Sequence, residues 1–313
     1  MRVFVAGASG VIGRRLVPRL VDAGHAVWGM TRQEANAATI RALGAEPVLC
    51  DAFDHDAVAR TLDQARPDVL VHQLTDIPPA IDPRRYGQQM ASNDRLRTVG
   101  TRNLMDGAVD AGIKRVVAQS IAFVYAPGPG SPRTEQDPLF DEAPPPFGRS
   151  VRAIRDLETA ITTTAGIEGV VLRYGFFYGP GTAYASDGSI ADLVRRHRFP
   201  LVGAGTGVWS FVHVDDAAQA TALATEHAAP GIYNIVDDEP APAAAWLPAY
   251  AQALHAKPPI HVPTFAGRLR GGTYAVFLMT EMVGASNAKA KEAFGWKPEH
   301  PSWRTSFATW LEE

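Results

Sequence analysis

The chain has 313 residues, 46% of them hydrophobic, with 30 basic and 33 acidic side chains and a formal net charge of −3. Enough apolar material is present for a sizeable core, and no basic field is present to hold a nucleic acid or an anionic membrane, so neither is expected as a partner. A single cysteine, Cys50, rules out an internal disulfide, and the opening run Met1 to Ala6 is too short for a signal segment or a membrane span, which makes the cytoplasm the expected location.

In chain order, short β-branched runs alternate with amphipathic stretches, the pattern of a parallel sheet covered on both faces. Strands are predicted at Val3–Ala6, Ala26–Met30, Glu46–Leu49, Val69–His72, Arg115–Gln119 and Val170–Arg173. The first helix is predicted from about Val11 to Ala23, because Ile12, Leu16 and Leu20 recur four apart and Gly24 provides a stop. The proline-rich segment from Ala126 to Pro146 reads as a long loop near the site, since proline lacks the backbone donor. After about Arg173 glycine and proline punctuate the chain more densely, at Gly179-Pro180-Gly181, from Gly203 to Gly207 and from Pro240 to Pro248. The expected fold class is therefore α/β. A Rossmann-type, doubly wound parallel sheet occupies residues 1–173, and a smaller C-terminal substrate lobe occupies 174–313, with some segments returning to the core.

The strongest local signal is Gly7-Ala8-Ser9-Gly10-Val11-Ile12-Gly13, directly after a strand and opening a helix. Glycines there allow a tight turn and a close backbone approach to a pyrophosphate, while the helix amides of Val11 and Ile12 face it. At the end of the second strand stands Met30-Thr31-Arg32, with the nearest acid, Glu34, further along. A ribose 2′-hydroxyl wants a carboxylate and a 2′-phosphate wants a guanidinium, so NADP(H) is expected over NAD(H), held by Arg32 with Thr31 and Arg14 assisting.

Together with later segments, these residues resemble the extended short-chain dehydrogenase/reductase superfamily of NAD(P)-dependent epimerases, dehydratases and reductases. The similarity continues through Asp51-Ala52, Gly100 to Leu104, Ser120 to Tyr125, Leu172 to Gly181, Ser210 to Asp216, Ser286 to Lys291 and Gly295-Trp296. The resemblance implies a cofactor set of Gly7, Ser9, Gly10, Val11, Ile12, Thr31, Arg32, Asp51, Ala52, Gln73, Leu74, Thr75, Gln119, Tyr174 and Phe176. It also implies a small-molecule substrate and a homodimer built through the fourth and fifth helices.

The same resemblance exposes a gap. The family works with a Tyr-x-x-x-Lys pair at the start of the fifth helix, where the phenol passes a proton and the ammonium lowers its pKa. Here Phe147 stands in place of the tyrosine and Val151 in place of the lysine. The usual serine falls on Ile121, with Ser120 one residue early, and an assisting asparagine is replaced by Arg97, with Asn93 one turn before it. Two readings remain: an oxidoreductase or epimerase/dehydratase-like enzyme using other groups, with Tyr178, Tyr125, Ser120 and Arg149 as candidates, or an NADP(H)-binding sensor without turnover.

Where sugar-nucleotide members carry a diphosphate-binding arginine, this chain has Trp209. Ile121, Phe147, Phe176, Phe177 and Trp209 would line an apolar pocket for an uncharged, aromatic or polycyclic small molecule, or would form the seam between the lobes. Asp215 and Asp216 are expected to cap a helix from Ala217 to Thr225, His213 to be a core histidine, and Lys289 and Lys291 to lie on an exposed helix face. No metal-ligand spacing is present, so no metal is expected.

Overall fold

The computed structural model describes residues 1–130 and 132–310. The strands in chain order are β1 (Arg2–Ala6), β2 (Ala26–Thr31), β3 (Glu46–Leu49), β4 (Val69–His72), β5 (Arg115–Ile121), β6 (Glu168–Tyr174), β7 (Phe176–Tyr178), β8 (Leu201–Val202), β9 (Val208–Trp209), β10 (Phe211–His213), β11 (Gly231–Ile235), β12 (Ala241–Pro242) and β13 (His261–Val262). A parallel seven-stranded sheet runs β11-β6-β5-β4-β1-β2-β3. The chain winds outward from β1 in one direction and from β4 in the other, which opens a crevice beyond the C-terminal ends of those two strands.

The helices are α1 (Gly13–Asp22), α2 (Ala37–Ala42), α3 (His55–Ala65), α4 (Tyr86–Gln89), α5 (Ala91–Arg95), α6 (Thr101–Asp110), α7 (Phe147–Thr163), α8 (Ser189–Arg195), α9 (Val214–His227), α10 (Ala243–Ala253), α11 (Thr264–Thr280), α12 (Ala288–Phe294) and α13 (Trp303–Trp310). A π-helical turn, Leu96–Gly100, joins α5 to α6. Strand periodicity divides the core: Val3 and Val5 of β1 pack with Leu16 and Leu20 of α1 and with Ala217 and Ala224 of α9. Phe4 and Ala6 point the other way, onto Leu62 of α3, Leu104 of α6 and Leu157 of α7.

The six predicted strands are present, four of them longer by one or two residues at one or both ends. Helix α1 starts at Gly13 and not Val11, because the glycine turn still occupies Val11 and Ile12. Gly24, at φ 81°, ends that helical segment and donates its amide to Val21 O at 2.9 Å.

The lobe adds three short ladders, β7 with β10, β9 with β12 and β8 with β13, while β11, α9 and α12 return to the Rossmann core. The loop after Tyr125 is irregular as expected and is pinned to the lobe: Arg133 donates its amide to Gly284 O at 2.7 Å and accepts from the Ser286 amide at 2.8 Å. Asp215 and Asp216 do not cap a helix from outside. They lie inside the first turn of α9, and the His213 side chain caps it by accepting the Asp215 amide at 3.3 Å. Asp215 instead pairs with Arg15 at 3.1 Å, and Asp216 accepts the backbone amides of Glu299 and His300 at 2.8 and 2.9 Å. Among the described residues no helix is long and apolar enough to cross a membrane.

Candidate functional site

The glycine turn has the geometry its spacing requires. Gly7 sits at φ 100°, and a Cβ there would lie 2.8 Å from the backbone of Gln73, while one at Gly13 would lie 2.3 Å from Gly7 O. Only glycine fits either position. The N-terminus of α1 has no side-chain cap and no acid in its first turn; the Arg14 and Arg15 amides are taken by Gly10 O and Ile12 O at 3.0 Å, and the amides of Val11, Ile12 and Gly13 before them are left for a ligand. An anionic pyrophosphate would supply the missing acceptor, and the chain's own residues thus fit a dinucleotide.

A cleft opens beside this turn, lined by Gly7, Ser9, Gly10, Thr31, Arg32, Asp51, Ala52, Gln73, Leu74 and Thr75, all singled out in the sequence. Asn103 holds its wall by donating to Ala52 O at 2.8 Å, which explains the Gly100 to Leu104 motif. Cys50, Asn36, Phe53, Asp76 and Leu96 also line the cleft. No local motif marks them, since they arrive from turns that follow four different elements.

Of the remaining cofactor candidates, Ile12 is buried, Val11 and Phe176 are half-buried, and Gln119 and Tyr174 lie beneath the cleft floor. Gln119 donates to Leu74 O at 3.2 Å, and the Tyr174 hydroxyl joins Gln73 at 3.1 Å and Thr221 at 2.7 Å. Arg14 is tied to the turn itself, donating to Ser9 O at 2.8 Å. Arg32 reaches Asp76, and Thr31 Oγ1 is held by the Gln33 amide at 3.2 Å and by Asn36 at 3.3 Å.

At the start of α7, Phe147 and Val151 are both buried, 2% and 0% exposed, so neither a phenol nor an ammonium is presented from that helix. The four candidate catalytic groups are not brought together. The Tyr178 hydroxyl is sealed in the lobe against Ser306 at 3.1 Å, and burial pushes its pKa well up. The Tyr125 hydroxyl donates to Asn234 at 2.7 Å and accepts from Arg173 at 2.9 Å, with its pKa pushed up to about 12 by burial. Ser120 donates to Glu158 at 2.7 Å in the same buried network. Arg149 is exposed and lines a separate hollow with Arg95, Arg152 and Asp156.

The apolar residues divide as well. Trp209, Phe176 and Phe123 form one aromatic stack, with centroids 4.2 and 4.1 Å apart, and Ile121 packs with that cluster. Phe177 departs from the set: neighbouring strand residues point to opposite faces, and it packs on Tyr174 at 5.3 Å in the Rossmann core. Lys289 is exposed on α12, and Lys291, half-buried there, pairs with Asp238 at 2.5 Å.

The His213, Asp216 and His300 donor atoms lie within 4.8 Å of one another. Those groups are already spent on α9 and the 299–300 backbone, and the two imidazoles stack at 3.8 Å.

Comparison with known proteins agrees with this fold. The model of the NAD dependent epimerase/dehydratase family matches residues 3–236. The chain is 45% identical over 312 residues to a Streptomyces 3-diazoavenalumate denitrifying reductase, covering 97% of this chain and 98% of that protein. Its fold matches that of a Thermus thermophilus UDP-glucose 4-epimerase in complex with NAD (TM-score 0.74, 24% identity, 100% and 98% coverage). It also matches a human epimerase family protein with NADPH (TM-score 0.75, 20% identity, 100% of both chains).

Proposed function

The chain belongs to the NAD dependent epimerase/dehydratase family, and from that premise we propose that it is a cytoplasmic reductase that takes NADPH in preference to NADH and removes a diazo group from a small aromatic substrate. When bound, the reduced nicotinamide supplies the hydride. The observation that carries the reading is the pair Phe147 and Val151, which leaves no phenol or ammonium on α7. Reduction of a carbonyl builds charge on oxygen and needs an acid there. Reductive loss of a diazonium group needs none: the aryl carbon gains the hydride pair, and the carbon–nitrogen pair leaves with dinitrogen. The 45% identical Streptomyces relative is named for that class of reaction.

The residues present have defined tasks in this reading. The turn at Gly7, Ser9, Gly10, Val11 and Ile12 holds the pyrophosphate, Asp51 and Ala52 border the adenine, and Arg32 with Thr31 takes the 2′-phosphate. Phe147, Phe176 and Trp209 supply flat apolar faces for an aromatic ring, with Ile121 packed beside them. Tyr125 and Ser120 brace the Rossmann side and Tyr178 braces the lobe through their buried hydrogen bonds.

The test uses the purified protein, an aryl diazonium acid and NADPH carrying deuterium at C4. Deuterium on the former diazo carbon, with one equivalent of dinitrogen, is the expected result. Tight NADPH binding with no dinitrogen and no transfer from either face of the nicotinamide would overturn the catalytic reading in favour of a silent binder.

A further inference from the structure

The two side chains missing from α7 have counterparts on its neighbours. The Phe147 ring packs 4.9 Å from Tyr274 of α11 and 6.2 Å from Tyr86 of α4, and the two tyrosine rings are 4.3 Å apart. A phenol carried by the lobe therefore lies against the very ring that lacks one. Val151 is fully buried, and the helix that carries it packs on the π-turn Leu96–Gly100, which carries a buried cation: Arg97, 3% exposed.

This cation is poorly matched. Its nearest carboxylate is Asp94, 3.8 Å from Nη1, and the other oxygen of Asp94 already accepts the Ser150 hydroxyl at 3.0 Å. Arg97 Nε, Asp94 Oδ1 and Asn93 Nδ2 are all buried with no hydrogen-bond partner among the described residues. Burial also pushes the Asp94 carboxyl toward its neutral form, which weakens the one ion pair Arg97 has. The Arg97 charge acts on both phenols, Tyr86 and Tyr274, as well as on Asp94. Leaving a buried guanidinium so incompletely paired is costly unless a ligand completes it.

We propose that Arg97, Tyr86 and Tyr274 form an oxyanion subsite that takes a carboxylate or phenolate oxygen of the aromatic substrate. A guanidinium and two phenol hydroxyls are all donors to an anionic oxygen, and together they discriminate charge where the surrounding rings discriminate only shape. The inference deepens the reading of this same site as a reductase of aromatic molecules, and it replaces the uncharged substrate expected from the apolar lining. Tyr274 closes the subsite in this structure. It stands two residues after Gly272, whose φ of 69° and ψ of −175° break α11 where only glycine is at ease. The outer half of α11 carries Phe265 and Leu269, 70% and 75% exposed, and is joined to the Rossmann side through Arg84, which donates to Arg270 O at 2.7 Å. Tyr274 stays with the buried half of α11, which also packs Phe277 on Phe147 at 5.4 Å, so the subsite opens by the Tyr274 side chain turning off Phe147 and not by the outer half swinging away.

The NADPH-loaded protein titrated by calorimetry with benzoate, 4-nitrophenolate and neutral methyl benzoate tests this. At least one anion should bind about tenfold more tightly than the ester, and which one does so identifies the source of the oxyanion. Arg97→Gln should abolish that preference, and Tyr274→Phe, which keeps the ring packing, should reduce it several-fold. Equal binding of all three probes, or a preference that survives Tyr274→Phe undiminished, overturns the subsite even if the Arg97 variant fails to fold. NADPH affinity is read separately on the same samples, so loss of cofactor binding would count against the family-level reading and not against this one.

Discussion

Arg32 Nη2 lies 3.2 Å from Asp76 Oδ1, so the residue that follows β2 spans the mouth of the cleft to the loop that follows β4. Asp76 is itself held, accepting the Ser92 hydroxyl at 2.5 Å and donating its amide to Asn93 Oδ1 at 2.9 Å. A 2′-phosphate must therefore draw Arg32 away from an acid already in position. The Arg32 side chain is 53% exposed, so the pair is worth no more than about 1 kcal/mol. Asp76→Asn should tighten NADPH by up to about fivefold, and Arg32→Ala should weaken it roughly 10- to 100-fold with little effect on NADH. Fluorescence titration with both nucleotides measures this, and an Arg32→Ala protein with unchanged NADPH affinity would remove Arg32 from the site.

Gly7→Ala introduces a Cβ 2.8 Å from the Gln73 carbonyl carbon at a residue with φ 100°. The backbone of the turn must shift, at a cost of about 1–3 kcal/mol. The expected outcome is a lower thermal midpoint and NADPH binding weakened by about tenfold or more, read on the same preparation.

Glu158 and Arg173 form a two-point buried pair, Nε to Oε1 at 2.8 Å and Nη2 to Oε2 at 2.5 Å, extended by Ser120 at one end and Tyr125 at the other. Removing one partner leaves the other charged and unpaired inside the protein, so Glu158→Gln or Arg173→Met should cost about 3–5 kcal/mol. The double substitution should cost less than the two single losses combined, and NADPH affinity of the folded fraction should be unchanged. Chemical denaturation of the three variants gives the comparison.

His72 and His213 are both held down to about 4 by burial, below the ordinary value of 6.5. The unfolded chain thus takes up protons first, and stability is lost as pH falls from 6.5 toward 4. Each histidine contributes up to about 3 kcal/mol of this loss. His300 opposes it in part, because the Asp216 carboxylate raises its pKa and favours the folded state once protonated. His72 accepts the amide of Leu74, a cleft residue, at 3.3 Å, so acid should also loosen the cofactor. His72→Gln should flatten the stability profile between pH 6.5 and 4, and a slope equal to that of the unsubstituted protein would contradict the assignment.

The residues readable from sequence are those whose role depends on near neighbours in the chain. The glycine turn from Gly7 to Gly13, the positions of β3 and β4 and the stop at Gly24 all follow from local spacing. Tertiary structure alone decided which polar groups face the cleft. Tyr178 and Tyr125 read as available phenols in the sequence, yet partners more than 100 positions away, Ser306 and Asn234, enclose them. Phe177 turned from the aromatic stack because strand pairing between β7 and β10 set its face. Tyr274 meets Phe147 only because the lobe folds α11 back over α7. Periodicity along a chain reports which face of an element is apolar. It carries no record of which distant element that face will meet, and here that meeting determines where the chemistry can occur.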